Sequence, residues 1–167
     1  MTPTESADFS AFMQARWPAL VRSAVLVGCP PGDAEDLVQA ALARVYAQWS
    51  RVSAAQDREA YVYRVLLNVL ATSRRRRWWG EEPTEQLPDR PDGDGHAEAV
   101  AVADSLRSAL GALTNDHRAV IVLRFYADMS ESQVADALQI APGTVKSRVS
   151  RALGRLAADP RLAGMPS

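Results

Sequence analysis

The stretch from Tyr61 to Ser73 is apolar on nearly every side of a helix, and it runs directly into Arg74, Arg75, Arg76, Arg77, Trp78 and Trp79. At about 100° per residue, its polar side chains Arg64, Asn68, Thr72 and Arg75 fall at i, i+4, i+8 and i+11 and make one narrow seam. A helix of this kind has to be wrapped by other helices, so the fold around it is a helical bundle with one polar stripe left open. The stripe has two readings. It is either the wet face of a core helix followed by a solvated charge run, or a surface for single-stranded nucleic acid. For the second, Asn offers both a donor and an acceptor to a base edge, indole and guanidinium planes stack on unpaired bases, and arginines hold phosphates.

Charge distribution favours the second reading. The chain of 167 residues has a net charge of only -1, but the charge is segregated. From Arg51 to Trp79 there are seven Arg against Asp57 and Glu59, net +5, and from Ile140 onward Lys146 and four Arg against Asp159, net +4. Between them, Gly80 to Glu98 carries seven acids against Arg90, net -6. Two basic segments divided by an acidic one form an electrostatic footprint for phosphate. Hydrophobic content of 47% suffices for folded cores, and no apolar run approaches the ~18 residues of a membrane span. The N-terminus, with Glu5 and Asp8 and no basic region, does not resemble a signal peptide, so a cytoplasmic protein is expected without membrane insertion. Cys29 has no partner for a disulfide and, with only His96 and His117, no zinc spacing. It is expected to be a small buried or loop residue, and no cofactor or metal is expected.

Read in order, Phe9, Phe12, Trp17, Leu20, Val21, Ala24 and Val25 mark a first helix that ends at the breaker cluster Gly28 to Gly32. A second helix is expected from an Asp33 N-cap, with Glu35 and Asp36 in its first turn and Leu37, Val38, Ala41, Leu42, Val45 and Trp49 inward. Its outer face then shows Asp36, Gln39, Ala40, Arg44 and Gln48, either a wet surface or a partner face. The Tyr61 helix closes a first all-α unit, residues 1–79. Residues 80–97 hold Pro83, Pro88, Pro91, Gly93 and Gly95 among acids and read as a flexible linker, which leaves two tethered rather than fused domains. The second unit, 98–167, opens with a helix through Leu113. The apolar stretch 119–126 is expected to be a further helix capped by Asn115 or Asp116.

The end of the chain is more specific. Ser130 and Gln133 form a capping box, a tight turn follows at Gln139 to Ala141, and Pro142 sits at the first position of a last helix. This is a helix-turn-helix. Val145, Val149, Ala152 and Leu156 face inward and leave Ser147, Ser150, Arg151 and Gly154 outside, flanked by Lys146, Arg148 and Arg155. Small hydroxyls among cations suit entry into a DNA major groove; the bland alternative is a helical hairpin with a basic face.

Asp33 to Gln39, Ala60 to Asn68, the arginine run, Val122 to Phe125, Met129-Ser130 and Gly143 to Arg148 together resemble the two-domain, group IV sigma factors of bacterial RNA polymerase. These are the extracytoplasmic-function (ECF) type, and the Arg- and Ala-rich composition is similar to that of actinobacterial members. The resemblance implies an all-α chain that directs promoter-specific transcription initiation. Asp36, Gln39, Ala40 and Arg44 would dock on the coiled coil of the polymerase's largest subunit. Asn68 would capture a flipped base of the -10 element, with Arg64, Thr72 and Arg74, Arg75, Arg76 and Arg77 around it. Thr144, Lys146, Ser147, Arg148, Ser150, Arg151 and Arg155 would read the -35 element. An anti-sigma factor is a further implied partner, and a free monomer is expected. The chain departs from the family pattern at Ala40, where Glu is usual, at Thr114 in place of Pro, and at Ala141, which lacks a side-chain cap.

The alternative is a stand-alone helix-turn-helix repressor or activator working without polymerase, which leaves the first unit without a role. An enzyme is not expected, because neither His has a nucleophile, base or metal partner at useful spacing.

Overall fold

The computed structural model describes residues 1–78 and 97–164, all helices and turns with no strand among them. Residues 79–96, which include Trp79 and nearly all of the expected linker, lie outside the described residues. The elements are α1 (Pro3–Leu26), α2 (Ala34–Ala47), α3 (Trp49–Ser53), α4 (Arg58–Trp78), α5 (Ala97–Gly111), α6 (Asn115–Ile121), α7 (Glu131–Leu138) and α8 (Pro142–Ala157). A π-helical turn, Val122–Tyr126, joins α6 to the α7 loop, and single 3-10 turns precede α2 and follow α8.

In the first unit α4 is the central helix, packed on α2 while α2 packs on α1. Its apolar circumference is buried as its composition requires, with Val62, Tyr63, Leu66, Val69 and Leu70 inside. The Tyr63 hydroxyl would be a buried orphan, but it shares a hydrogen bond with Ser23 Oγ at 3.0 Å. Trp49 starts the separate helix α3 rather than ending α2, and it is 1% exposed. Its ring meets Phe9 edge-on at 5.2 Å and Phe12 at 5.3 Å, and its indole N–H donates to Asp8 at 3.2 Å. Aromatic pairs of this geometry contribute about 0.5–1.5 kcal/mol beyond area burial.

Two expected caps are corrected. Asp33 occupies the N-cap position of α2 but makes no side-chain cap bond, because its carboxylate is drawn into an ion pair with Arg77. α6 is capped by Thr114, one residue before the expected pair, through its hydroxyl accepting from the His117 N–H at 3.2 Å. Thr114 has the extended backbone an N-cap needs, so the residue standing where the family pattern has Pro does the capping itself. The 119–126 stretch is helical as expected, but only to Ile121 as α-helix. The Ala127 N–H then reaches back five residues to the Val122 carbonyl, at 2.9 Å.

The second unit is as expected at its end. Ser130 and Gln133 exchange both capping-box hydrogen bonds, at 2.9 and 3.1 Å, and α7 closes on Gln139 in the left-handed region at φ 56°. α8 then starts on Pro142 and packs on α6 and α7. The two units are not merely tethered. α4 packs against α7, and α1 meets the π turn, so one apolar cluster runs through both.

Candidate functional site

The α2 surface is positioned by its inner stripe. Leu37, Val38, Ala41, Leu42 and Val45 are buried against α1 and α4, which turns Asp36, Gln39, Ala40 and Arg44 outward, and all four are exposed. Tyr46 joins this side of the molecule at 42% exposure, with one ring edge on Phe9 at 4.9 Å. An amphipathic helix whose exposed side carries Asp36, Gln39 and Arg44 among small alanines is a platform for a partner rather than a core element.

The α4 seam is open as well, with Asn68 and Arg75 exposed and Arg64 and Thr72 half-buried. Thr72 Oγ1 bonds the Asn68 carbonyl at 3.0 Å, and the Arg64 guanidinium lies 5.0 Å over the Tyr61 ring. These two contacts occupy the neighbours and leave the Asn68 amide outward. The arginine run divides: Arg75 and Arg76 are exposed. Arg74 is half-buried and donates through Nη2 to the Val27 carbonyl at 2.6 Å, and Arg77 pairs with Asp33. Burial, and then the like charge of Arg118, hold the Arg74 guanidinium below its ordinary pKa. Half of the expected phosphate clamp is therefore turned toward the protein itself.

On α8, Val145 and Ala152 anchor the helix. Lys146, Ser147, Ser150, Arg151 and Arg155 point to solvent, with Gly154 among them. Ser147 Oγ donates to the Thr144 carbonyl at 3.1 Å, and Thr144 itself is half-buried. Arg148 is also half-buried, 3.9 Å from Asp116 at the start of α6. Sequence reasoning missed Asp116 as the partner of Arg148 and Arg118 as a tie between the units, since nothing local in either stretch signals them. Among the described residues no group of His, Cys, Asp or Glu is arranged to hold a metal, and no helix is long and apolar enough to cross a membrane.

Three surfaces on three helices now stand apart: a polar platform, a polar seam with free cations, and a basic helix-turn-helix. Residues 13–80 match the Sigma-70 region 2 family and residues 103–156 match Sigma-70, region 4. The chain is 39% identical over 160 residues to the RNA polymerase sigma-E factor of Streptomyces coelicolor, covering 91% of this chain and 85% of that one. The chain belongs to the ECF sigma factors. ECF RNA polymerase sigma factor SigL of Mycobacterium tuberculosis is 31% identical, with 91% of this sigma factor and 88% of SigL covered. Among solved structures, the sigma factor RpoE in complex with the anti-sigma factor NepR from Bartonella quintana superposes at a TM-score of 0.72. That pair is 27% identical, over 89% of this chain and 94% of RpoE. CnrH, solved with the cytosolic domain of CnrY, has the same fold at a TM-score of 0.71 and 24% identity, over 92% and 87% of the two chains.

The protein is thus an alternative sigma factor, a regulatory protein that binds core RNA polymerase and promoter DNA to direct transcription initiation. The reading as a stand-alone helix-turn-helix regulator falls away, because the first unit has its own sigma region.

Proposed function

We propose that the sigma factor divides its task along the chain. Residues 1–79 bind core polymerase and open the -10 element, residues 80–97 link the units, and residues 98–167 read the -35 element. Asp36, Gln39, Ala40 and Arg44 form the polymerase-binding face on α2. Lys146, Ser147, Ser150, Arg151 and Arg155 enter the major groove, while Arg148 and Thr144 set the angle of the helix and reach its flanking phosphates. On α4, Arg75 and Arg76 hold the strand, and Arg74 and Arg77 join them when their protein contacts are exchanged for phosphate.

The observation that carries the reading is Asn68, exposed in the middle of a helix whose adjoining residues Leu66, Val69 and Leu70 are buried. A short amide held rigidly on an anchored helix suits capture of an extruded base. Unstacking that base costs a few kcal/mol, which polymerase and phosphate contacts offset. The protein works in the cytoplasm, on the nucleoid through polymerase, as a monomer when free. An anti-sigma factor is its regulatory partner, a reading supported by the likeness to RpoE, which was solved with NepR.

The test is reconstitution with sigma-free core polymerase and a promoter library. Transcript starts should cluster downstream of shared -35 and -10 motifs. Asn68→Ala should lower promoter opening about tenfold or more, from the ~1–3 kcal/mol of a lost base contact, while core binding is retained. A variant that opens promoters as well as the parent removes Asn68 from the base-capture role.

A further inference from the structure

α8 carries a glycine that nothing inside the protein calls for. Gly154 is exposed, and a Cβ placed on it would have no atom of the chain within 4 Å. Its backbone is ordinary helix, without a positive φ, and its carbonyl accepts the Ala158 N–H at 3.2 Å. Nor does it end the helix. The C-cap is Ala158, right-handed at φ -87° and ψ -5°, so the left-handed cap that glycine commonly supplies near a helix end is not made here.

The other glycines of the described residues have local explanations. Gly28 and Gly164 take positive φ, Gly32 lies in the 3-10 turn before α2, Gly111 is the last residue of α5, and Gly143 sits in the first turn of α8. Gly154 alone stands away from both the first and last residues of a helix. There glycine loses more conformational freedom on folding than any other residue and is less favourable than alanine. The reason for keeping it lies outside the chain.

Its position says where. At about 100° per residue Gly154 lies about 180° round α8 from the fully buried Val145, so it marks the middle of the outward face. Arg151 precedes it by three residues and Arg155 follows it directly, both exposed, and α8 contains no Asp or Glu. Among the described residues neither guanidinium is in an ion pair. Gly154 is also two turns beyond Ser147, about 10.5 Å along the axis at 1.5 Å per residue. A major groove is about 12 Å wide, so with the first turns of α8 among base edges, the residue two turns on has reached the wall of the groove. That wall is a sugar-phosphate strand, and a side chain at this point would hold helix and strand apart.

We propose that Gly154 is the point of closest approach between α8 and one sugar-phosphate strand of the -35 duplex. Its missing Cβ sets how deeply the helix seats, and the close seating brings Arg151 and Arg155 onto the phosphates to either side. The inference rests on the assignment of α8 to the -35 element.

Gly154→Ala tests it, in holoenzyme reconstituted from the full chain and sigma-free core polymerase, on duplex promoter DNA. Within the protein the added methyl meets nothing, so the melting temperature of the free chain should rise, by about 2 °C. DNA affinity should move the other way, falling about tenfold for Gly154→Ala and further for Gly154→Leu, with core binding unchanged. The strand carries no sequence information, so the loss should be the same size on promoters with different bases in the -35 element. The dependence of log affinity on log salt should flatten by about one, as a phosphate contact is given up. A more stable Ala variant that binds as tightly as the parent overturns the proposal. So does a lowered melting temperature, which would place the need for glycine inside the fold, or a loss confined to one -35 base, which would place a base at Gly154. The parent supplies the check on α8. A parent holoenzyme indifferent to the -35 sequence removes that assignment, whereas a parent that reads it, beside an Ala variant that reads it equally well, removes only the role of Gly154.

Discussion

Cys29 shows how much a single side chain's chemistry is decided by its surroundings. In the sequence it is a lone thiol in a breaker cluster; in the structure it is 4% exposed beneath the N-terminal end of α2. Burial first, and then the Asp33 carboxylate, push the thiol up to about 11. Because the folded pKa lies above the unfolded one, the native state favours the protonated thiol, and that contribution is lost as pH rises from about 9 toward 11. At pH 8 the thiolate is scarce, so iodoacetamide should modify the native protein about a hundredfold more slowly than the denatured chain. Modification at equal rates would contradict the burial. The sequence leaves Cys29 either a small buried residue or a loop residue, since it shows only that the thiol has no disulfide or zinc partner; its burial is decided by the packing around it. The missing cap bond at Asp33 is likewise not legible, because its competitor, Arg77, is forty-four residues away and invisible to local rules. Asn68 is legible because a polar side chain inside an apolar circumference marks the one side on which the helix is left open.

At the scale of elements, periodicity and capping chemistry predict the helices well where each signal is local. The helix-turn-helix can be read in full from Ser130, Gln133, Gln139 and Pro142, since capping box, left-handed turn and leading Pro are all written within a few residues of one another. The boundaries at Val122 and Gln48 cannot: at Val122 the pitch changes inside an apolar stretch, and at Gln48 the backbone breaks between two α-helices, at φ -122° and ψ 20°, with no Gly or Pro to mark it. α8 also shows an unmet opportunity. Ala141 takes the extended N-cap conformation, φ -69° and ψ 146°, without a side chain to use it. Ala141→Ser should therefore add about 1 kcal/mol to the stability of the fold and raise the melting temperature by about 2–4 °C. The residue is exposed, so no packing is disturbed. A melting point unchanged or lowered would show that the first turn of α8 is already satisfied by other means.

For the molecule as a whole, the division into two units is legible from breaker residues and charge, but their apposition is not. Contacts such as Arg118 to Val27 link residues whose neighbourhoods carry no shared pattern. Apposition has a consequence for DNA binding: helices in contact lie about 8–10 Å apart, so packed units are far shorter than the ~85 Å of about 25 base pairs between the elements. On promoter DNA without polymerase the chain should protect at most one element from cleavage, and with core polymerase both should be covered. Protection of both elements by the free chain would show that the packed arrangement does not persist in solution. The π turn at Val122–Tyr126 bears on how such chains can be recombined. A turn closed over five residues instead of four carries one residue more than an α-helical path, and each residue is worth about 100° of rotation. A hybrid that grafts a foreign reading head onto this body at α6 must keep that surplus residue. Without it the grafted α7 and α8 would be swung by more than a quarter of a circle, and an intact reading surface would address the wrong side of the double helix.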